Sequence, residues 1–482
     1  MIDDNGRNSS DSLCQKTVIE LKYLPKILSS KLHVTVTDAS CVMPQLTAHR
    51  IGSPSMSLTR RRALALAGGT LATPFLVRPA GAQAKVTLSF LHYQTGAAGQ
   101  TLRRLLDAFQ AANPDVEVRD TFRQSEQITA EIQAAIAARR PVDVAQVIGK
   151  NIIFHLNNLP AAQINEDPAA NAWLARYLPT FLDLGRVGEK IYAIPHAYGT
   201  PQLYINRDLF RQAGLDPARE PRTWDEVIEA AKAIVAKTGR GGVAQLHAAN
   251  KDYGTMLMVT NAGGTYLARD GMKAMFDSPE GIAAMQLWQD LAVRHKVMPI
   301  ANDQQWTAAF SAGQLGMYMT SSAALRSFVA AAQGKFDLGV TNYPLFGDRP
   351  RRVPNSGAAV MVFAPEGPRR QAAIRLLEFF SRREVANRWS RDTGYMPLSV
   401  DPLADPEMAA YAQEFPYVQP SIRQMAETVD TDRWPAFGAI EAQTEISNMV
   451  DALWAGRATA SELVPRTVAR VNDILAKANP VR

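Results

Sequence analysis

The sequence predicts an α/β protein built as two lobes packed together. From residue 85 onward, strand and helix patterns alternate, which argues for a parallel sheet covered on both faces. The about 398 residues from there to Arg482 exceed what one hydrophobic core supports, so two domains are expected. Neither an internal repeat nor a low-complexity linker divides them. That points to lobes in contact, with the chain crossing between them more than once.

The elements follow in order. Residues 85–92 alternate, with Val86, Leu88 and Phe90 on one face. Leu102, Leu105, Leu106 and Phe109 fall at helical spacing, and Asn113-Pro114 ends that helix because proline cannot continue it. Residues 116–121 read as a second strand. Ile128, Ile132, Ala135 and Ile136 form a second amphipathic helix, and 142–147 a third strand. Such sheets bind ligands beyond the carboxyl ends of their strands. Two short strands are expected at 191–194 and 202–205. Thr223-Trp224-Asp225-Glu226 reads as a capping box, opening a helix that Gly239 closes. Ser278-Pro279-Glu280 opens another, with serine as cap, proline at the first helical position, and Leu287 and Leu291 inward. Residues 371–380, 384–390, 440–454 and 460–476 are helical by spacing.

The chain before residue 85 has a different character. Ser57-Leu58-Thr59-Arg60-Arg61-Arg62-Ala63-Leu64 leads into an apolar segment over 63–77. That segment is too short to span a bilayer and is diluted by glycine, threonine and proline. Ala80-Gly81-Ala82-Gln83-Ala84 offers two small-residue cleavage sites. Together these describe a secretory signal peptide over 56–84. Its Thr-Arg-Arg-Arg-Ala-Leu core resembles a twin-arginine export signal, with Ala63 where that pattern favours phenylalanine. A signal belongs at a chain start and Met56 stands directly before this one, so 1–55 is expected to be a non-native or unstructured extension. A long n-region and a small folded module are the alternatives. The remainder is expected to work in the periplasm.

Residues 1–84 hold 10 of the 52 Lys and Arg and 5 of the 46 Asp and Glu, which leaves 42 against 41 afterwards. The overall basicity therefore belongs to the leader and argues for neither nucleic acid nor an anionic membrane. Both cysteines, Cys14 and Cys41, precede the signal, which excludes disulfides, thiolate catalysis, cysteine-ligated metals and a lipid-anchored cysteine in the mature chain. Its five histidines, His92, His155, His196, His247 and His295, show no metal-ligand spacing. G-x-S-x-G, H-E-x-x-H, the phosphate-binding G-x-x-x-x-G-K-[ST] and G-x-G-x-x-G are all missing. No metal, cofactor or catalytic residue is expected. A catalytic carboxylate pair stays open, since any two of 41 acids could meet in space.

The positive signal is a series of motifs. Ile191-Tyr192-Ala193-Ile194-Pro195 precedes the run Gln202-Leu203-Tyr204-Ile205-Asn206-Arg207-Asp208-Leu209-Phe210-Arg211-Gln212-Ala213-Gly214-Leu215, and Pro221-Arg222-Thr223-Trp224-Asp225-Glu226 follows. Later come Phe310-Ser311-Ala312-Gly313-Gln314-Leu315-Gly316-Met317-Tyr318-Met319, Gly339-Val340-Thr341-Asn342-Tyr343-Pro344 and Thr393-Gly394-Tyr395-Met396-Pro397-Leu398. In this order and spacing the series resembles family 1 extracellular solute-binding proteins, the sugar-type receptors of ABC importers. The resemblance implies a two-lobe periplasmic-binding-protein fold with a ligand cleft between the lobes, joined by hinge crossings near Pro195, Ser322 and Phe380. That gives a first lobe of 85–195 plus 323–380 and a second of 196–322 plus 381–482. It further implies a monomer that captures a small carbohydrate-type solute, a sugar or polyol, and hands it to the transmembrane subunits of an ABC permease. Glycerol-3-phosphate or a glycerophosphodiester is the alternative solute. An exported glycan-active α/β enzyme is the rival of another class.

The resemblance also carries site positions. Tyr395 matches the receptors' tyrosine in Thr-Gly-Tyr-x-Pro, Ser322 and Gly357 lie near matched positions, and Arg433 is a looser match to a phosphate-binding arginine. Ser125-Glu126 stands where glycerophosphate receptors show tyrosine-glutamate. Gly149 replaces their glutamate after the third strand, Gly199 their serine before Thr-Pro, and Asn250 and Tyr253 lie near their tryptophan pair. On the residues themselves, Tyr93 follows the first strand, Tyr198 and Tyr253 are expected in loops, and Trp434 can stack on a sugar. The candidate ligand residues are therefore Tyr93, Glu126, Tyr198, Tyr253, Ser322, Gly357, Tyr395, Arg433 and Trp434. Tyr395 and Arg433 are expected from the second lobe, facing Tyr93 and Glu126 from the first.

Overall fold

A computed structural model of the chain describes residues 85–140, 142–248, 251–434 and 438–477. The expected leader and the 1–55 extension lie outside the described residues. Among the described residues, nine strands build the two main sheets: β1 (Val86–His92), β2 (Val116–Phe122), β3 (Val144–Ile148), β4 (Ala193–Gly199), β5 (Pro201–Asn206), β6 (Gly241–Gln245), β7 (Leu315–Ser321), β8 (Leu338–Asn342) and β9 (Ser356–Val362). The first sheet runs β2-β1-β3-β9-β4 and the second β8-β5-β7-β6.

The early alternation forms as the periodicity predicts. β1 pairs in parallel with β2 and β3, and helices Gly96–Ala112 and Ser125–Ala137 connect them. Leu102, Leu105, Leu106 and Phe109 pack into the first-lobe core with Leu88 and Phe90. β3 and β4 are buried along nearly their whole length, as continuous apolar runs inside a sheet covered on both faces should be. β9 enters antiparallel between them, pairing Ala358 with Ile148 on one side and with Ala197 on the other. In the second sheet, β5 and β7 are antiparallel, and β6 lies parallel to β7.

Helix Trp224–Thr238 begins where its cap predicts, with the Glu226 amide donating to Thr223 Oγ1 at 3.3 Å. The reciprocal half differs. The Glu226 carboxylate accepts the Arg222 amide at 2.6 Å, one residue upstream of the cap, in place of the cap's own amide. Gly239, at φ +66°, ends the helix. Ser278 caps helix Pro279–Ala292 as expected.

The chain passes between sheets at places the motif spacing misses. The boundary expected at 195 falls inside β4, which belongs whole to the first sheet, and the passage is at Thr200. The chain does not leave the second lobe at Ser322. Leu325, Phe328 and Ala332 pack into the second core and β8 joins the second sheet, so the return comes at Pro354–Ser356. Nor does it leave the first lobe at Phe380. Helix Arg383–Thr393 puts Val385 and Trp389 into the first core, and Met396, Leu398 and Met425 follow. Trp434 and helices Ala439–Trp454 and Ala460–Lys477 pack into the second core, so the last crossing lies between Met425 and Trp434.

The crossings are tied to each other. Val353–Pro354 and Thr428–Val429 run side by side as a short parallel ribbon. Thr431 Oγ1 reaches the Asn355 amide oxygen at 2.7 Å. Ser322 donates its amide to the Thr200 carbonyl at 2.9 Å and accepts the Thr200 amide on its hydroxyl. The Gln424 amide holds four groups. Its nitrogen donates to Thr200 Oγ1 (2.5 Å) and the Pro201 carbonyl (2.7 Å), and its oxygen accepts from the Tyr343 amide and Asn342 Nδ2. Thr200, Ser322 and Gln424 are fully buried, and every one of these bonds is between neutral groups.

Candidate functional site

The strand directions decide where a site can form. β1, β3 and β4 point the same way, so the residues after them and the start of antiparallel β9 share one sheet edge. That edge carries Tyr93-Gln94, Gly149-Lys150, Tyr198-Gly199 and Ser356-Gly357. The second sheet presents its own carboxyl edge, with Gln245, Ser321 and the start of β5 at Pro201. Because β4 passes directly into β5 through Thr200, the two edges meet. Ligands of α/β sheets bind at such edges.

Charged groups bridge this seam. Lys150, just beyond β3, reaches Asp252 at the start of helix Asp252–Asn261 in the second lobe, at 3.3 and 3.2 Å to its two oxygens. Asp252 is buried, and Trp434 Nε1 also donates to its Oδ2 at 3.2 Å. Tyr253, the next residue, donates its hydroxyl to the Pro354 carbonyl at 3.1 Å. From the last crossing, Arg433 donates to the Arg186 carbonyl of the first lobe at 3.0 Å and pairs with Asp430 at 3.3 Å. Burial raises the Asp430 pKa, opposed by Arg433. Burial also lifts Asp432 to about 6, against the Leu267 amide that its carboxylate accepts at 3.2 Å.

The expected ligand residues divide. Tyr93, Tyr395, Arg433 and Tyr253 stand half-buried around the seam. Tyr395 joins the first-lobe cluster and not the second, stacked on Trp389 at 5.9 Å and 6°. It still reaches the second lobe, because its turn abuts it. Gly394 sits at φ +87°, and a Cβ there would press to 3.0 Å from the Ser322 carbonyl oxygen, so only glycine fits. Tyr198 is not in a loop. It lies on β4, fully buried, its ring 4.9 Å from Phe181, where desolvation pushes its pKa well up. Ser322 is a fastener of the first crossing. Gly357 is glycine because a Cβ would overlap the Ala197 carbonyl, and a side chain on Gly199 would overlap Ser321 Oγ. Trp434 is buried in the second core, edge-on to Tyr266 at 6.0 Å, with only its indole N–H turned to the seam. The Glu126 side chain lies outside the described residues.

Lys150, Asp252 and Asp430 were not expected. Lys150 and Asp252 are 102 residues apart, and no local pattern pairs them; the available signal was position alone, two residues past a parallel strand and at the first position of a helix. Among the described residues, no group of three or more His, Cys, Asp or Glu is arranged to hold a metal. No described helix is long and apolar enough to cross a membrane.

Comparison with known proteins agrees with this architecture. The sn-glycerol-3-phosphate-binding periplasmic protein UgpB of Pectobacterium atrosepticum is 23% identical over 440 residues, covering 86% of this chain and 97% of that protein. UgpB of Escherichia coli is 22% identical over 415 residues, covering 82% and 93%. Among solved structures, the cyclic α-maltosyl-1,6-maltose binding protein of Arthrobacter globiformis superposes with a TM-score of 0.73 at 22% identity, covering 82% of this chain and all of that one. UgpB of Mycobacterium tuberculosis with glycerophosphocholine gives 0.70 at 21%, covering 82% and 98%. The fold is thus the two-lobe binding-protein fold that the motif series implies. A family model described as bacterial extracellular solute-binding protein matches residues 104–416. With two sheets meeting edge to edge across tied crossings and that match over most of its length, the chain belongs to the bacterial extracellular solute-binding protein family.

Proposed function

We propose that this chain is the receptor of an ABC importer and captures a neutral carbohydrate-type solute, a sugar or polyol, between its lobes. Capture is by lobe closure, which removes water from the polar contacts made to the solute and so strengthens them. The observation that carries the choice of a neutral solute is the state of Arg433. Its guanidinium is committed to Asp430 and to the Arg186 carbonyl, and Asp432 stands two residues from Asp430. Lys150 is likewise committed to Asp252. A phosphate would have to displace carboxylates from both cations, whereas hydroxyls can accept from the cations and donate to the carboxylates together.

Glycerophosphate remains the second reading, supported by the sn-glycerol-3-phosphate-binding relatives that cover most of the chain. An exported glycan-active enzyme would take Asp430 and Asp432 as its carboxylates, since burial raises both. A thermal-shift panel of maltose, sorbitol, sn-glycerol-3-phosphate and glycerophosphocholine separates the solutes, because a tight ligand raises the midpoint by mass action. Arg433→Ala should weaken a sugar's binding about tenfold or less, while a loss above about a hundredfold confined to phosphate-bearing ligands selects the second reading. Mass spectrometry after prolonged incubation should return the ligand unchanged; turnover moves the protein to the enzyme class.

The working protein is a periplasmic monomer released from a twin-arginine-type signal after residue 84, and it hands its solute to a membrane permease. Intact mass from a periplasmic extract checks the cleavage, and a native N-terminus before Met56 sinks the reading of 1–55 as an extension.

A further inference from the structure

Behind Tyr395 lies a chain of polar groups that no surface role explains. Gln146 lies on β3 and is fully buried, and Gln94 is nearly so. Gln146 Oε1 accepts from Gln94 Nε2 at 3.0 Å and from the Tyr93 backbone amide at 3.4 Å. With its oxygen so occupied, its Nε2 must be the donor to His196 Nδ1 at 2.9 Å. His196 is therefore neutral with its proton on Nε2, in keeping with burial that drives its pKa down to about 3. At the other end, burial raises the Tyr395 pKa and the neighbouring Gln94 side chain opposes that rise. A second route closes the loop through ring contacts: Tyr395 stacks on Trp389, and Trp389 lies 4.5 Å from the His196 ring. The Gln94 backbone N–H also donates to His92 Nδ1 at 3.2 Å, and His92 Nε2 reaches Asp120, so this network too is anchored.

Burying two primary amides and an imidazole in an apolar core is costly unless each finds partners, and apolar side chains would fill the space at no such cost. What the amides add is direction. We propose that Gln94 and Gln146 are positioning residues for solute specificity: with His196 they fix the angle of the Tyr395 phenol and the backbone at Tyr93, so that the seam presents a pre-set hydrogen-bonding edge to one arrangement of solute hydroxyls. The inference rests on the reading of Tyr395 as a solute contact. Neither glutamine touches the solute; both act through Tyr395 and Tyr93. A pre-oriented partner raises affinity by sparing the ordering cost of binding.

The test is a double-mutant cycle on affinity, measured by calorimetry with maltose and with glycerophosphocholine as probes. Tyr395→Phe should weaken binding of the probe that the parent binds about tenfold or more. Gln146→Leu should weaken it by a comparable factor, and the double variant should be no weaker than the poorer single one, because the directed phenol is already lost. Gln94→Met, at the more accessible end of the chain, should behave like Gln146→Leu and serves as the second variant if the core change impairs folding. A purely structural role predicts a lower melting temperature with affinity within twofold of the parent for both glutamine variants, which overturns the inference. Full additivity in the cycle overturns it as well. An unchanged affinity in Tyr395→Phe overturns instead the placement of the site, and binding of neither probe overturns the solute reading beneath both.

Discussion

The lobes touch at two places that differ in kind. At the crossings, Thr200, Ser322 and Gln424 are joined by neutral hydrogen bonds in full burial. At the cleft seam, the contacts are the Lys150–Asp252 ion pair and the Arg433 guanidinium, held by its neighbour Asp430 and reaching the Arg186 carbonyl; Lys150 and Arg433 each keep about a fifth of their side-chain surface in solvent. The contrast follows from what each contact must survive. A buried neutral bond has no good alternative partner once broken, so the groups around a pivot stay paired. A charge at the edge of a cleft is received by water when its partner leaves, so parting costs little. The crossings are built to persist and the seam is built to open.

Three changes sharpen or break that contrast. The largest effect is expected at Gln424. Gln424→Ala strips partners from Thr200, Asn342 and Tyr343 together, and should cost about 4 kcal/mol in urea unfolding. A loss below about 1 kcal/mol would show that the staple is ornamental. Lys150→Met should cost less, about 2 kcal/mol, since Asp252 keeps the Trp434 indole and gains water. Its distinctive signature is shape: the radius of gyration by small-angle scattering should rise while circular dichroism stays that of the parent. An unchanged radius breaks the claim that the seam is held by charge.

The smallest effect is a pH dependence from Asp432. Its folded pKa of about 6 lies above the ordinary carboxylate value. Between those values the folded state holds a proton that the unfolded state has released, so stability falls as pH rises from about 4 to 6 and stays lowered above. Asp432→Asn removes this cost while keeping an acceptor for the Leu267 amide. It should therefore stabilise by roughly 1–2 kcal/mol at pH 7.5, after discounting for partial solvent exposure, and be neutral at pH 4. An equal change at both pH values would assign the effect to packing.

Much of this was legible in the chain itself, where the information is local. Leu102 to Phe109 announce a helix by spacing, Thr223 announces its cap, and Thr393-Gly394-Tyr395 announces a turn whose glycine is then needed against Ser322. The crossings escaped because their pairing is long-range. Val353 meets Thr428 across 75 residues, and nothing near either marks a passage between lobes. Tyr198 and Trp434 show the other limit. A large ring beside a cleft and a large ring in a core carry the same side chain, and only the neighbouring Phe181 or Tyr266 tells them apart. Lys150 and Asp252, 102 residues apart, are hidden for the same reason as the crossings.

The place of β9 has a consequence for how this protein is made. It lies between β3 and β4, so the first sheet stays split until residues 356–362 have been synthesised, more than 150 residues after β4. An emerging chain must hold β3 and β4 with open edges through the whole second lobe, which exposes them to wrong pairing and slows folding. Ribosome-bound chains ending before Ser356 should accordingly stay protease-sensitive across β3 and β4, and become resistant once β9 has cleared the exit tunnel.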